Sequence, residues 1–462
     1  MTSLSDKLTA ADIARIVHGR LKGEPGAVVL RGRADSRLCR DGDLYVALPG
    51  ERTDGSLFIE KAWEAGASVV LADSAKHCPA PPEGKALIAV TQPLSALQAL
   101  ARSRRHEAGG LRVAGITGSN GKTTTKEILG AILRAWKGEN VLVTEGNYNS
   151  DVGLPLTLLN LRSNHELAVL EMGMNRIGEM SELASIAVPD VAVITNVGTA
   201  HIGMIGSQEA VAAEKRSIFD YAAADTTAVV DGSGSWRDFL LEGFPGQIRY
   251  FGEWPGAGWE SFENKGIDGF SLVRCGQTIR FALPGMHNLM NAMAAVEAAS
   301  VLGAPESAIR NGLEQVQPPP GRSEIVRGAV TIIRDCYNAN PESMEASLQL
   351  LQGTRIPGRK IVVMGDLKEL GDSRDAALRK VGGATAAANP SVFFLFGEDL
   401  SAAADSAVEA GYGGEISSFS DIGELGEALR LAVKSGDLVL LKGSRGSALE
   451  RLDDVLAEIS TG

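Results

Sequence analysis

Apolar residues run almost without interruption through residues 111–117, 141–144, 167–172, 191–196 and 227–231, and between these runs the pattern switches to helical spacing. A strand that is apolar at every position is covered on both faces, so the runs predict a parallel, doubly wound sheet with helices on each side. Ahead of them lie shorter strand-like pieces at 43–48 and 68–71, separated by turn chemistry at Leu48-Pro49-Gly50 and Asp54-Gly55, which predict a small α/β unit. Residues 1–20 mix Asp6, Lys7, Asp12, Arg15 and Arg20 with short apolar steps and predict an amphipathic helix. Between 248 and 283, Gly266, Gly269 and Gly276 punctuate short β-like pieces, consistent with an antiparallel edge or ribbon. Gln317-Pro318-Pro319-Pro320-Gly321 then stops any helix and stiffens the connection. Beyond it, strands at 330–333, 360–364, 392–396 and 438–441 alternate with helices, two of them seeded by the alanine-rich stretches 384–388 and 402–404.

The expected fold is therefore α/β in three domains. Residues 1–108 form a small N-terminal α/β domain, 109–317 a central domain around a mostly parallel sheet, and 318–462 a C-terminal Rossmann-like α/β domain. The length of 462 residues agrees, being too great for one ordinary core. With 45 Lys plus Arg against 57 Asp plus Glu the formal charge is −12, which argues against a broad nucleic-acid or anionic-membrane surface. Any phosphate must be met locally. No apolar run reaches the eighteen or so residues a membrane span needs. Cys39, Cys78, Cys275 and Cys336 show no C-x-x-C spacing, so neither a zinc knuckle nor a disulfide framework is expected, and a reducing cytoplasm fits best.

Gly118-Ser119-Asn120-Gly121-Lys122-Thr123-Thr124 follows the first long apolar run and opens a helical stretch. Strand, glycine-rich loop and helix in that order make a phosphate grip: the glycines turn backbone N–H groups toward phosphate oxygens, Lys122 reaches the terminal phosphates, and the Thr123 hydroxyl is placed for magnesium. Ile116 stands where a general P-loop has glycine, so the motif is a shorter variant. Glu171 closes an apolar strand beside this loop, where a magnesium-binding carboxylate is expected. His201 lies just beyond the next strand and reads equally as a metal ligand or a plain hydrogen-bonding residue. Spacing alone makes Lys215, on the helical stretch 208–221, a solvated charge. Asn288 and Asn291 share one face at the start of a helix, as caps or as amides for an adenine edge. Arg322 after the prolines and Asp335 after a strand suit a phosphate and a ribose hydroxyl, whereas Asn338 and Asn340 read first as turn residues.

Taken in order, Asp35-Ser36-Arg37, Gly42-Asp43-Leu44-Tyr45-Val46-Ala47-Leu48, the phosphate loop, Gly146-Asn147-Tyr148-Asn149, Glu171-Met172-Gly173, the segment 196–201, the segment 285–291, Tyr337-Asn338-Ala339-Asn340-Pro341, Gly365-Asp366-Leu367-Lys368-Glu369-Leu370-Gly371 and Lys442-Gly443-Ser444-Arg445 resemble the ATP-dependent Mur ligases of bacterial cell-wall synthesis. The Tyr-Asn-Ala-Asn-Pro string resembles the branch that adds a terminal dipeptide. The resemblance implies that UDP-N-acetylmuramoyl-tripeptide and D-alanyl-D-alanine are joined at the expense of ATP, by a monomer, with Ser36 and Arg37 near the uridine diphosphate and Asn147 and Asn149 near the muramoyl-peptide. It further implies one Mg2+ on Thr123 and Glu171 and a second on His201 and Lys215, the lysine carbamylated and so turned from cation to oxygen ligand. Lys122, His201 and Lys215 would carry the catalysis, while Asn288, Asn291, Arg322 and Asp335 hold the nucleotide. Ser217, Ser150, Cys336, Leu367 and Arg379 depart from the usual family residues, though none of them is one of the implied metal ligands. A carboxylate resists attack by an amine, so the γ-phosphoryl group is first moved onto it, and the resulting acyl phosphate gives the amine a good leaving group. Two other readings stay open: a related ligase with a different amino-acid substrate, and a nucleotide-binding homologue without catalysis.

Overall fold

A computed structural model describes residues 4–50 and 53–461. Its N-terminal sheet holds β1 (Arg20–Gly23), β2 (Arg31–Arg33), β3 (Asp43–Val46), β4 (Val69–Asp73) and β5 (Ala86–Val90) in the order β1-β5-β4-β3-β2, parallel except for β1. The expected N-terminal helix is short, Ala10–Ile16, with Thr9 and Asp12 in a reciprocal capping box. The chain then turns at His18 (φ +51°) into strand β1, so helical spacing does not continue to residue 20.

The central sheet contains β6 (Arg112–Thr117), β7 (Val141–Val143), β8 (Leu167–Glu171), β9 (Val191–Ile194), β10 (Thr227–Asp231) and β11 (Gln247–Phe251), ordered β11-β10-β9-β6-β8-β7 and parallel throughout. Successive residues feed opposite cores, which is why these strands read as unbroken apolar runs. Ala114, Ile116, Leu167 and Val169 pack with the helices Lys122–Lys137 and Met286–Leu302 on one face. Val113, Ala168 and Leu170 pack with Leu154, Met180 and Leu183 on the other. Each fully buried Val, Leu, Ile or Met side chain among them contributes roughly 1.5–3 kcal/mol. Because the connection from β6 runs to one side of it, to β7, while β9, β10 and β11 follow on the other side, the carboxyl end of β6 is a topological switch point, the place where a doubly wound sheet opens a crevice.

The 248–283 region divides in two. Its first strand, β11, extends the central sheet in parallel, and the rest forms an antiparallel three-stranded ribbon of β12 (Trp259–Asn264), β13 (Phe270–Arg274) and β14 (Gln277–Phe281). The C-terminal sheet, β15 (Glu324–Val326), β16 (Thr331–Asp335), β17 (Lys360–Gly365), β18 (Val392–Phe396), β19 (Glu415–Phe419) and β20 (Leu438–Lys442), is ordered β15-β16-β20-β17-β18-β19, with only β15 antiparallel. Its strand ends face those of the central sheet, and the cleft lies between them. Among the described residues, no helix is long and apolar enough to cross a membrane.

Candidate active site

Strand β6 runs into Gly118 (φ +152°), and the following helix starts at Lys122 behind Gly121 (φ +82°). A Cβ on Gly118 would stand 1.8 Å from Thr195 Oγ1, and one on Gly121 would stand 2.1 Å from Asn291 Oδ1, so glycine is required at both. The residues after β9 clamp the loop from the side. Asn120 N donates to Asn196 Oδ1 (2.9 Å), Asn196 Nδ2 donates to Asn120 O (3.1 Å), and Ser119 N donates to Asn196 O (3.0 Å). Thr195 Oγ1 adds a 2.5 Å bond to Asn120 O. Lys122 Nζ folds back to donate to Gly118 O at 2.8 Å. Burial pushes its pKa down and the nearby Arg322 adds to that, while Glu171 and Glu369 oppose it.

Glu171 is buried at the end of β8. Its Oε1 accepts from Thr123 Oγ1 (3.1 Å) and Asn149 Nδ2 (2.7 Å), while Oε2 is buried without a partner among the described residues. A bare carboxylate oxygen beside a hydroxyl at a helix start suits a hard divalent cation, and these residues fit Mg2+. No cluster of three or more His, Cys, Asp or Glu side chains among the described residues makes a self-sufficient metal cage, so nucleotide and water oxygens would complete the shell.

Lys215 corrects the solvated reading that spacing alone suggests. It is 1% exposed, because the helix Gln208–Arg216 turns the face bearing Val211, Ala212 and Lys215 inward. Among the described residues no hydrogen bond or ion pair reaches its ammonium; the adjacent Glu214 is committed to Gly178 N and Met180 N. Burial pushes the Lys215 pKa well down, Lys122 pushes it further, and Glu214 opposes. An unpaired, desolvated lysine is held toward its neutral, nucleophilic form. His201, at the start of a short helix, lines the cleft with its Nδ1 2.9 Å from Glu369 Oε2 of the C-terminal domain.

The cleft holds about 370 Å³ and is walled by both domains. From the central domain come the loop 119–124, His201, His287, Asn288 and Asn291; from beyond the proline linker come Arg322, Asp335, Tyr337, Asn340 and Lys442. Asn288 and Asn291 share a face as expected, yet each already donates once, to Pro284 O (2.8 Å) and to Asn288 Oδ1 (3.3 Å). Asp335 accepts from Ser347 Oγ (2.5 Å) and Ser323 N (3.2 Å) and pairs with Lys442 (2.8 Å). Burial pushes its pKa up, but Lys442, Ser347 and His287 outweigh it and hold the carboxyl below 3.8. The Arg322 guanidinium lies 4.2 Å from the Tyr337 ring centroid. Asn340 caps the helix Pro341–Gly353, as its turn-like context suggests, and its Nδ2 also donates to Asn120 Oδ1 (2.8 Å) across the domain boundary.

Glu171 and Lys215 stand behind the wall; Glu171 reaches the cleft through Thr123, and Lys215 lies close enough to Lys122 to feel its charge. Of the residues expected at the sugar-peptide end, Asn149 touches Glu171, Asn147 is exposed nearby, and Ser36 and Arg37 lie in the N-terminal domain away from the cleft. Thr195, Asn196, Tyr337, Glu342 and Lys442 shape the cleft without having been singled out individually from the sequence. The signal for Thr195, Asn196, Tyr337 and Lys442 is position, as polar residues at or just past the carboxyl ends of buried strands, and that for Glu342 is its place in the first turn of the helix Pro341–Gly353.

Comparison with known proteins agrees with this geometry. Residues 33–105 match the Mur ligase family catalytic domain, 116–299 the Mur ligase middle domain and 321–445 the Mur ligase glutamate ligase domain. The chain is 37% identical over 430 residues to a UDP-N-acetylmuramoyl-tripeptide–D-alanyl-D-alanine ligase from Treponema pallidum, covering 91% of this chain and 92% of that one. A crystal structure of MurF from Acinetobacter baumannii superposes with a TM-score of 0.86 at 31% identity, covering 99% of this chain and 100% of that one. MurF ligase from Thermotoga maritima, solved in complex with ADP, does so with a TM-score of 0.76 at 29% identity, covering 93% and 98%. The chain belongs to the Mur ligase family.

Proposed function

We propose that this chain joins D-alanyl-D-alanine to UDP-N-acetylmuramoyl-tripeptide at the expense of ATP, making the pentapeptide precursor of peptidoglycan. It is an ATP-dependent ligase that forms an amide bond, as its family membership and its full-length relatives imply. The observation carrying the reading is the single cleft in which the phosphate loop faces the Tyr337–Asn340 string of the other domain.

We assign the parts as follows. Residues 1–108 hold the UDP end through Ser36 and Arg37, 109–317 hold ATP, and 318–462 close over it. The backbone N–H groups of Gly118, Gly121, Lys122, Thr123 and Thr124 cradle the phosphates, Ser119 and Asn120 line the loop with their N–H groups given to Asn196, and Lys122 leaves Gly118 O to meet the γ-phosphoryl group. Asn288 and Asn291 turn their remaining amide atoms to the adenine, Asp335 accepts from the ribose, and Arg322 meets a phosphate. Thr123 and Glu171 would hold one Mg2+, and His201 with a carbamylated Lys215 a second; the ions supply charge neutralisation between carboxylate and triphosphate. Lys215 is suited to carbamylation because it is buried, unpaired and held toward the neutral amine. Asn147 and Asn149 stand toward the muramoyl-peptide. Docking of the C-terminal domain excludes water, which otherwise hydrolyses the acyl phosphate. We place the enzyme in the cytoplasm, acting as a monomer.

The test is phosphate release by the purified protein with ATP, Mg2+ and the two substrates supplied singly and together. Release that requires both supports the assignment. Acceptance of a single amino acid in place of the dipeptide would point to a ligase of different specificity, and no release under any combination to a nucleotide-binding homologue.

A further inference from the structure

The central and C-terminal domains meet beside the cleft in a contact too close for ordinary side chains. Gly203 N donates to Glu369 O at 3.0 Å. A Cβ on Gly203 would stand 2.6 Å from Gly371 N, and one on Gly371 would stand 3.0 Å from Gly203 Cα, so glycine on each side lets the two backbones touch. Next to them Ile202 packs against the C-terminal core that contains Leu367 and Leu370. The two residues that face one another across this joint, His201 and Glu369, both adopt φ +65°, the left-handed region that side chains disfavour. Strained conformations of this kind persist where surrounding contacts over-determine them, and they concentrate at working parts of a molecule.

Across the joint His201 Nδ1 lies 2.9 Å from Glu369 Oε2, within ion-pair reach although the two side chains are not aligned for a hydrogen bond, while the ring lines the cleft. The hydrogen bond at one imidazole nitrogen decides which tautomer is present and so what the other nitrogen offers. We infer that Glu369 is a positioning residue lent by the C-terminal domain: a turn of its carboxylate at this distance lets it accept from His201 Nδ1–H, which leaves a lone pair on Nε2 toward the cleft, and it does so only while the two loops are docked. The inference rests on the reading of His201 as a cation ligand, and adds which group sets its ring and when. Its consequence is order of events, since the second cation site is complete only once the domains have closed over their substrates, which restrains idle ATP hydrolysis.

The experiment is long-range nitrogen–proton NMR on the full chain labelled with 15N-histidine, at alkaline pH where neutral imidazoles are observed. The chain has six histidines, and His201 is assigned by its absence in His201→Gln. The wild type is expected to show His201 fixed as Nδ1–H. Glu369→Ala should lose that pattern, Glu369→Gln should retain it through the amide oxygen, and Gly203→Ala should lose it although both partners remain, because the added methyl blocks the joint. In turnover Glu369→Ala should lower kcat about 10- to 100-fold, with the KM for ATP little changed. An unchanged His201 pattern in Glu369→Ala overturns the proposal, and an unchanged pattern in Gly203→Ala overturns its dependence on docking. Mn2+ with ATP should broaden the His201 resonances; if they stay sharp while the tautomer is fixed, the cation reading fails and the hold of Glu369 on the ring stands.

Discussion

At the phosphate end of the molecule nearly every polar group is already held in place: the Asn196 amide bonds both the N–H and the C=O of Asn120, Thr195 ties Asn120 as well, and the two glycines have no room for a side chain. At the expected uridine end the arrangement is local and open. Asp35 accepts from the backbone and guanidinium of Arg37, which is 86% exposed. The first region spends its organisation before any ligand arrives, so its donors act on developing charge with little rearrangement. The second holds a solvent-screened pair that a diphosphate can displace cheaply. Changes at the first should therefore damage the chemical step, and changes at the second should damage binding alone.

The largest effect is expected from Lys122→Ala. Its ammonium is the one cation of the phosphate loop, and removing a preorganised electrostatic group of this kind costs about 10²- to 10³-fold in kcat. Thermal unfolding should be little altered, because among the described residues the ammonium bonds only Gly118 O, within the loop. Rapid-quench phosphate release together with a melting curve would check both halves; near-normal turnover would remove Lys122 from the mechanism.

Next comes Lys215→Ala, which asks whether the preorganised region extends to the lysine behind the wall. If a carbamate there provides an oxygen ligand, activity should fall at least about 10-fold, the scale for groups that support a metal site, and return in part with added acetate or formate. A 13C signal from labelled bicarbonate should appear in the wild type and vanish in the variant. Activity that is lost without rescue and without that signal would leave Lys215 a structural residue.

How much of this was visible in the sequence differs between the same two regions. Strands β6, β8, β9 and β10 announce themselves because both faces are covered, and so the carboxyl edge that carries the site was legible along with the phosphate loop. Strands β11 and β19 were not, since residues such as Gln247, Arg249, Glu415 and Ser418 lie on sheet edges with exposed side chains and break the apolar run. Lys215 looked solvated because burial of a helix face depends on what packs over it, which spacing does not reveal. Asn340 announced its cap but not its bond to Asn120, and the approach of Glu369 to His201 had no local signal at all. Contacts of that kind exist only once two domains have been placed together.

A smaller effect separates the two regions by pH. Burial pushes the His287 pKa down from 6.5 to about 4, with Asp335 opposing and Lys442 adding to the shift. Between those values the unfolded chain binds more protons than the folded one, so stability should fall as pH drops through that window and recover above 6.5. The slope from this one group is at most about 1.4 kcal/mol per pH unit. Asp335, whose carboxyl is held below its ordinary range by Lys442, Ser347 and His287, adds a loss of stability of the same sign at the acid end of that window, so the comparison rests on the slope above about pH 5. Urea unfolding of the wild type and His287→Gln at several pH values should show the slope reduced in the variant; equal slopes would mean that His287 is protonated without cost.

Arg37→Ala should do least to the protein itself, and that is why it sharpens the contrast. Among the described residues its guanidinium reaches only Asp35, two residues away, and exposed pairs of this kind contribute little to folding, so the melting temperature should not move. What it should change is the KM for UDP-N-acetylmuramoyl-tripeptide, raised while kcat and the KM for ATP hold, because loss of a ground-state contact weakens substrate and transition state alike. Steady-state kinetics with each substrate varied in turn would show this, and raising ionic strength should narrow the gap between wild type and variant if the contact is to a diphosphate. A fall in kcat instead would mean that the uridine end is coupled to the chemistry, and that the two regions work as one preorganised site.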